Sequence, residues 1–345
     1  MANFAPSDLV DGQAIFNEKH QSGEWRMPNS NAFKTANTGM LANPSLAGLH
    51  TREDRAVTAK FPIRQTATGG TARTALHTGA RGDSLSAALT WATFDETFSI
   101  SITQADNNVL SFGEQFASSQ KNAVMNLINR IDAWYVAELV AAKTQVNIGG
   151  GFGVFNGADD YNILLADREF FFDNVKAMME NNDYTGGLTG VLDSQAAVLK
   201  GQLANQGGGN STNTQFQFAG YDALETSSRT ILDVPTTYSA SGLFFETGLV
   251  GVIPWIPQKN RKSIDPRKVM DNVGDFGQMM LPELNIPLAI SAYATRADAS
   301  GSNGSVQDVV IQYELSTDVA FSSAPLGTLR GASDSVIYSA AVGII

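Results

Sequence analysis

The stretch Thr97–Lys143, TFSISITQADNNVLSFGEQFASSQKNAVMNLINRIDAWYVAELVAAK, decides the fold. It opens on alternation, with Phe98, Ile100 and Ile102 set against Ser99, Ser101 and Thr103, the two-residue period of a strand. From Asp106 to roughly Lys143 the period changes. Val109, Phe112, Phe116, Val124, Leu127, Ile128, Ile131, Tyr135 and Leu139 recur at three- and four-residue steps, which gathers them on one stripe of a helix. The opposite face carries Asn122, Asn126, Asn129 and Asp132. Ser111 and Glu114 have the spacing of a capping box, so the helix begins at either Asp106 or Ser111. A helix of about 35 to 40 residues, rising about 1.5 Å per residue, is about 55 Å long, more than a compact domain of ordinary size needs. A stiff, one-sided rod of this kind fits either a piece of a larger assembly or the long core helix of an α+β domain.

Upstream, Val57, Ala59, Phe61 and Ile63 alternate with Thr58, Lys60, Pro62 and Arg64, a strand whose proline suits a sheet edge. Gly69-Gly70 and the segment Gly79 to Gly82 supply turns, and a return strand follows through Leu89, Trp91, Phe98, Ile100 and Ile102. Residues 52–103 therefore read as a long two-stranded excursion. A hairpin alone is marginal in water, so it needs a partner surface. Residues 1–51 are rich in Asn, Gly, Ser and Pro, with Phe4, Phe16, Trp25 and Phe33 at no sustained period. They read as an arm lying on something else.

Downstream, the run Gly149 to Gly153 and Gly157 form a connector, closing a segment 104–157 that holds the long helix. Phe170–Glu180 reads as an amphipathic helix, Leu188–Leu192 as a buried strand, and Ser194–Leu203 as a helix capped by Asp193 or Ser194. Gln206–Thr214 is a loop, followed by strand-like runs at Phe216–Ala219, Glu225–Leu232 and Gly242–Ile253, so 158–255 reads as an α/β subdomain. In 256–345 three sets alternate: Ile286, Leu288, Ile290, Ala292; Val309, Ile311, Tyr313, Leu315; and Val336, Tyr338, Ala340, Val342. Asp298–Ser305 reads as a hairpin tip.

Of 345 residues, 43% are hydrophobic, enough for a sizeable core in two or three subdomains. The chain has no cysteine, which removes disulfides, Cys-ligated zinc and thiol catalysis together. The opening MANFAPSDLV lacks a basic-then-apolar leader pattern, and no run approaches the about 18 apolar residues of a membrane span. An aqueous compartment and no membrane partner are expected. The net charge of −11 is uneven: +3 over residues 1–81, −12 over 82–253 and −2 over 254–345. Arg52, Arg55, Lys60, Arg64, Arg73 and Arg81 carry the basic end, which complements the acidic body of another copy. Solvated charge on a loop and a helix face is the plainer alternative.

Motifs for chemistry are not found. His20, His50 and His77 all lie in the arm and hairpin, and there is no H-x-x-x-H pair, acidic calcium loop, G-x-S-x-G or G-x-x-x-x-G-K-[ST]. The glycine run is no dinucleotide fingerprint, because Asn156 stands where a third glycine is needed and the run follows a helix. Asp159-Asp160 and Asp95-Glu96 read as surface or cap residues. No catalytic, cofactor-binding or metal-binding residue is assigned. Lys259, Arg261, Lys262, Arg267 and Lys268 form a basic loop around Pro257 and Pro266 that suits nucleic acid, a neighbouring acidic subunit or plain solvent.

The order of elements resembles the major capsid proteins of tailed bacteriophages, the Hong Kong 97-type fold. Two local stretches carry the likeness: Thr97 to Val109, a strand running into the long helix, and Leu188 to Leu203 (LTGVLDSQAAVLKGQL) followed by Gly220-Tyr221-Asp222 and Glu225 to Ser228. The resemblance covers roughly residues 50 to 345 in pattern and order, with no invariant catalytic motif. It implies an α+β chain divided into an N-terminal arm (1–51), an extended β-hairpin loop (52–103), a spine helix opening the peripheral domain (104–157), a central α/β axial domain (158–255) and a return to the axial and peripheral sheets (256–345). It also implies a non-enzymatic icosahedral shell of hexamers and pentamers around double-stranded DNA, assembled in a host bacterial cytoplasm and ending in the virion. Arg55, Lys60, Arg64, Arg73, Arg81, Lys259, Arg261 and Lys262 become the candidate inter-subunit contacts. Residues 1–50 lack the heptads of a built-in scaffolding helix, so a separate scaffolding protein is expected, beside a portal and decoration proteins. Lys60 is the only lysine of the hairpin, so crosslinking of the shell through a lysine is not expected. An encapsulin-like bacterial compartment shares this fold, and a soluble β-rich hydrolase or carbohydrate-binding protein shares the composition.

Overall fold

The structure is a computed structural model that describes residues 6–42, 49–62, 84–101, 112–143, 153–155, 160–182, 184–207, 220–229, 238–261, 275–281, 283–298, 307–324 and 336–343. It is a mixed α+β fold built on two larger sheets and a separate strand pair.

The long helix is α3, Phe112–Ala142, and its 31 residues span about 46 Å. Its apolar stripe is the buried one: Val124, Leu127, Ile128, Ile131, Tyr135 and Leu139 are all inaccessible to solvent. Asn122 and Asn126 are exposed, as the polar face requires. Asp132 is not, and the spacing explains it. It stands four residues after Ile128 and three before Tyr135, inside the stripe rather than opposite it, and it is 1% exposed. Val109 and both proposed helix starts lie outside the described residues.

The stripe packs on the first sheet. Its backbone is β12, Gln307–Ser323, a 17-residue strand. On one side β12 pairs antiparallel with β3, Thr90–Ser101, from Val310 opposite Ser101 to Phe321 opposite Thr90. On the other side it pairs first with β11, Ile286–Asp298, and then with β9, Val250–Trp255, which continues the place that β11 vacates. The strand β10, Asp275–Leu281, closes the edge beyond β11. Aromatic rings seal helix to sheet: Phe116 meets Tyr313 edge-on at 5.1 Å and Phe98 at 5.8 Å, and Phe94 meets Trp134 at 5.6 Å, while Phe98 stacks on its cross-strand partner Tyr313 at 4.9 Å. The expected alternation holds in β12 at Ile311, Tyr313 and Leu315 and in β11 at Ile286, Leu288 and Ala292, but it slips at Ile290, which is only partly buried while Ala289 is buried.

The second sheet has six strands in the order β4 (Gly153–Phe155), β5 (Asp160–Leu164), β13 (Tyr338–Gly343), β8 (Tyr238–Glu246), β6 (Leu188–Leu192) and β7 (Tyr221–Thr226). Helices α4, Phe171–Asn181, and α5, Ser194–Gly207, accompany it. Asp193 is the cap of α5, accepting from the Ala196 N–H at 2.6 Å and from the Ser241 hydroxyl at 2.8 Å. All residues of β13 are buried, as expected of a central strand covered on both faces.

Four sequence expectations are corrected here. The return strand of the hairpin is not part of the hairpin: β3 belongs to the first sheet, and the excursion proper is β1, Thr58–Pro62, paired with β2, Ser84–Ala88. The single run Gly242–Ile253 is two strands in different sheets, separated by a turn in which Gly248 takes a φ of 94°. The Val336–Val342 alternation is not kept: Ile337, Ser339 and Ala341 are buried as well, because Tyr338–Gly343 forms β13 inside the second sheet. The strand expected from Glu225 begins at Tyr221 and ends at Thr226, and the expected run Phe216–Ala219 and residues 230–232 lie outside the described residues. The N-terminal segment also has more order than its composition suggests. It forms α1, Pro6–Gln21, and α2, Asn31–Ala42, which pack on the body with Phe16 at 3% and Phe33 at 0% exposure. Close approach of α1 to α3 depends on Gly12, where a Cβ would lie 2.7 Å from Phe116 Cδ1.

Candidate functional site

The root of the β1–β2 hairpin sits in a mount built from the first sheet. Trp255, at the end of β9, donates its indole N–H to Arg52 O at 3.1 Å, and Trp91 of β3 donates to Ala56 O at 2.8 Å. Arg261 lies across the same root. Its Nη1 donates to Thr51 O at 2.9 Å, its Nη2 to Arg52 O at 2.6 Å and its Nε to Ile256 O at 3.3 Å, while the guanidinium stands 5.9 Å from the Trp255 ring centroid. Arg55 lies 6.0 Å from that ring and 3.6 Å from Asp318, whose other oxygen accepts from Thr93 Oγ1 at 2.6 Å. A planar guanidinium that both stacks and donates in a fork holds carbonyls in a fixed geometry that a lysine cannot reproduce. Among the described residues the strand pair that leaves this mount pairs with no third strand. Val57, just before β1, is 77% exposed and Lys60 is exposed, and among the described residues neither β1 nor β2 has a partner on its outer edge.

The candidate contacts thus separate. Arg55 and Arg261 meet at one indole, Lys60 is exposed on β1, and Lys259 lies elsewhere, its Nζ 4.3 Å above the Phe276 ring of β10. Arg64, Arg73, Arg81 and Lys262, with the hairpin tip glycines, lie outside the described residues.

A second polar cluster ties the N-terminal helices to the body. Arg229, just past β7, donates to the carboxylate of Asp132 and the amide oxygen of Asn129, both on α3, and to Asn29 O at 2.7 Å. Asp132 accepts in turn from the Phe33 N–H at 3.0 Å, one of the unpaired donors in the first turn of α2. Asn29 Nδ2 donates to Thr226 O at 3.1 Å. Burial pushes the Asp132 carboxyl above its usual range, and the Phe33 N–H and the Arg229 charge pull it part of the way back. A buried ion pair of this kind fixes register more than it adds stability, since desolvation consumes most of the attraction. At the far end of α3, Lys143 and Asp160 pair at 2.8 Å, 7% and 1% exposed, and so anchor the helix to β5. Sequence reading missed this cluster; the spacing of Asp132 within the apolar stripe was the available signal.

Among the described residues no three metal-ligating side chains come together, and no helix is long and apolar enough to cross a membrane. No family model matches the chain, and no curated protein matches it. Solved structures do. The chain is similar to one of Mycobacterium phage Cain at 11% identity and a TM-score of 0.46, covering 95% of this chain and 98% of that one. It is similar to one of Mycobacterium phage Adephagia at 10% identity and a TM-score of 0.45, covering 100% and 99%. A third likeness is to the asymmetric unit of the bacteriophage PhiM1 mature capsid, at 11% identity and a TM-score of 0.44, over 92% and 88%.

Proposed function

We propose that this chain is a self-assembling shell subunit, the major capsid protein of a tailed bacteriophage, and that copies of it close as hexamers and pentamers around double-stranded DNA. The observation that carries the reading is the hairpin on its mount. A strand pair with open edges gains little by itself. Here its root is nonetheless held by two indoles and two guanidinium groups, which fix where the pair leaves the body. Aiming matters when the target is another copy. The sheet and α3 would form the plate of the subunit, the second sheet would face a symmetry centre, and the hairpin would cross to a neighbour. Many modest interfaces closed by symmetry give a stable shell without any strong single contact. The basic hairpin arginines Arg64, Arg73 and Arg81 would meet acidic groups of the next body, and a separate scaffolding protein, a portal and decoration proteins would complete the particle.

The test is sedimentation of the expressed chain beside a variant lacking residues 69–82. The full chain should yield fast-sedimenting particles, and the variant only small species with an unchanged circular dichroism spectrum. Particles of normal size from the variant, or a full chain that sediments only as a small oligomer, would refute the reading.

A further inference from the structure

The C-terminal turn of α1 ends in a built corner. Ser22 N–H bonds to Glu18 O at 2.9 Å, Gly23 N–H to His20 O at 3.2 Å and Trp25 N–H to Lys19 O at 3.2 Å. Gly23 takes a φ of 73°, the left-handed conformation that glycine adopts without strain. The corner folds Trp25 back on the helix, where its ring meets Phe16 edge-on with 5.9 Å between centroids. Two ammonium groups from different elements stand over the indole: Lys19 Nζ of α1 at 5.5 Å and Lys121 Nζ of α3 at 5.0 Å from the centroid. Two like charges therefore share one ring, no more than about 10.5 Å apart. Of the carboxylates nearby, Glu24 pairs with Lys19 at 3.2 Å and Glu283 is taken by His20. Neither Lys121 nor the exposed Arg26 forms an ion pair with another described residue.

In a chain of net charge −11, positive charge here gathers on a rigid aromatic base. We propose that Lys19, Trp25, Arg26 and Lys121 form a contact face for the phosphate backbone of double-stranded DNA. The inference rests on the shell reading and deepens it, because it says which face of the subunit looks at the enclosed genome. Ammonium groups are point charges that suit phosphate without reading sequence, which is what a shell requires. The acidic excess of residues 82–253 repels the same polymer and disfavours contact there.

The experiment is lysine acetylation footprinting of the purified full chain, with and without a random-sequence double-stranded DNA oligonucleotide at low ionic strength. Lys19 and Lys121 should be protected while Lys60 and Lys259 are labelled as before. In parallel, the K19E/K121E double variant should bind the oligonucleotide with a salt dependence, log K against log salt, shallower by about 2, one unit per lost phosphate contact. Equal labelling of Lys19 and Lys121 with DNA bound, or an unchanged slope in the variant, overturns the proposal. So does an unchanged slope with lost assembly, which would make the face a protein contact. Protection and a reduced slope in a chain that forms no particles would leave this contact standing and refute only the shell reading.

Discussion

Replacing Arg261 with lysine isolates what the hairpin mount does. The charge stays, but the fork of donors to Thr51 O, Arg52 O and Ile256 O and the stack on Trp255 go. Hydrogen bonds from a charged donor contribute about 1.5 to 3 kcal/mol each when buried. Here the partners Thr51 and Arg52 are exposed, so water replaces much of the loss. Lysine also remakes one bond, which leaves about 2 kcal/mol for the mount. Such a sum barely moves a transition of the whole chain, but it loosens the root by a factor of about 30. Hydrogen exchange reads it directly at the Leu89 amide, which bonds to Val57 O at 3.0 Å where the strand pair leaves the body. Arg261→Lys should exchange there about 30-fold faster than the parent chain, with amides of β11 and β12 unchanged, and should form few closed particles. Lys259→Ala, which loses only a ring contact with Phe276, is the control and should assemble normally. Fast exchange with full assembly would refute the idea that a fixed root aims the hairpin.

Three further outcomes follow from the core and the polar cluster. Ile131→Ala removes a fully buried side chain at the centre of α3 and should cost about 2 to 5 kcal/mol, read as lower soluble yield and an earlier denaturant midpoint. Arg229→Ala leaves the Asp132 carboxylate buried without its cation, at a cost of about 3 to 5 kcal/mol, whereas pairing it with Asp132→Asn should recover part of that loss in a double-mutant cycle. Burial raises the Glu246 carboxyl above its ordinary 4.5, against the N–H of Gly186. Between 4.5 and the raised value the unfolded chain has lost a proton that the folded chain keeps, so stability relative to Glu246→Gln should fall as pH rises through that window and be flat below it.

Local patterns in the sequence were legible, and distant pairings were not. The stripe of α3, the strand Leu188–Leu192, the Asp193 cap and the β11–β12 alternations all follow from spacings within a few residues. The place of β3 does not, because its partner Val310–Phe321 lies more than 200 residues away and nothing in Thr90–Ser101 distinguishes a hairpin strand from a sheet strand. The division between β8 and β9 was readable at Glu246-Thr247-Gly248, a turn inside an apolar run, but which sheet each half joins depends on partners elsewhere in the chain. The N-terminal helices lack a strong stripe because part of their docking is polar, through Asp132 and Arg229, or steric, through Gly12. Of the candidate contacts, composition marked only that the segment is basic. It could not show that Arg55 and Arg261 meet at the Trp255 ring beside the hairpin root, since their partners are distant in the chain.

The most direct test of the account is an electron cryo-microscopy map of whatever the purified chain assembles into. The account predicts closed icosahedral particles in which residues 58–88 leave the Trp255 mount and lie across the body of an adjacent copy, with α3 and its sheet in the plane of the shell. Particles in which that hairpin folds back on its own subunit, or a preparation that holds only monomers and small oligomers, would contradict it.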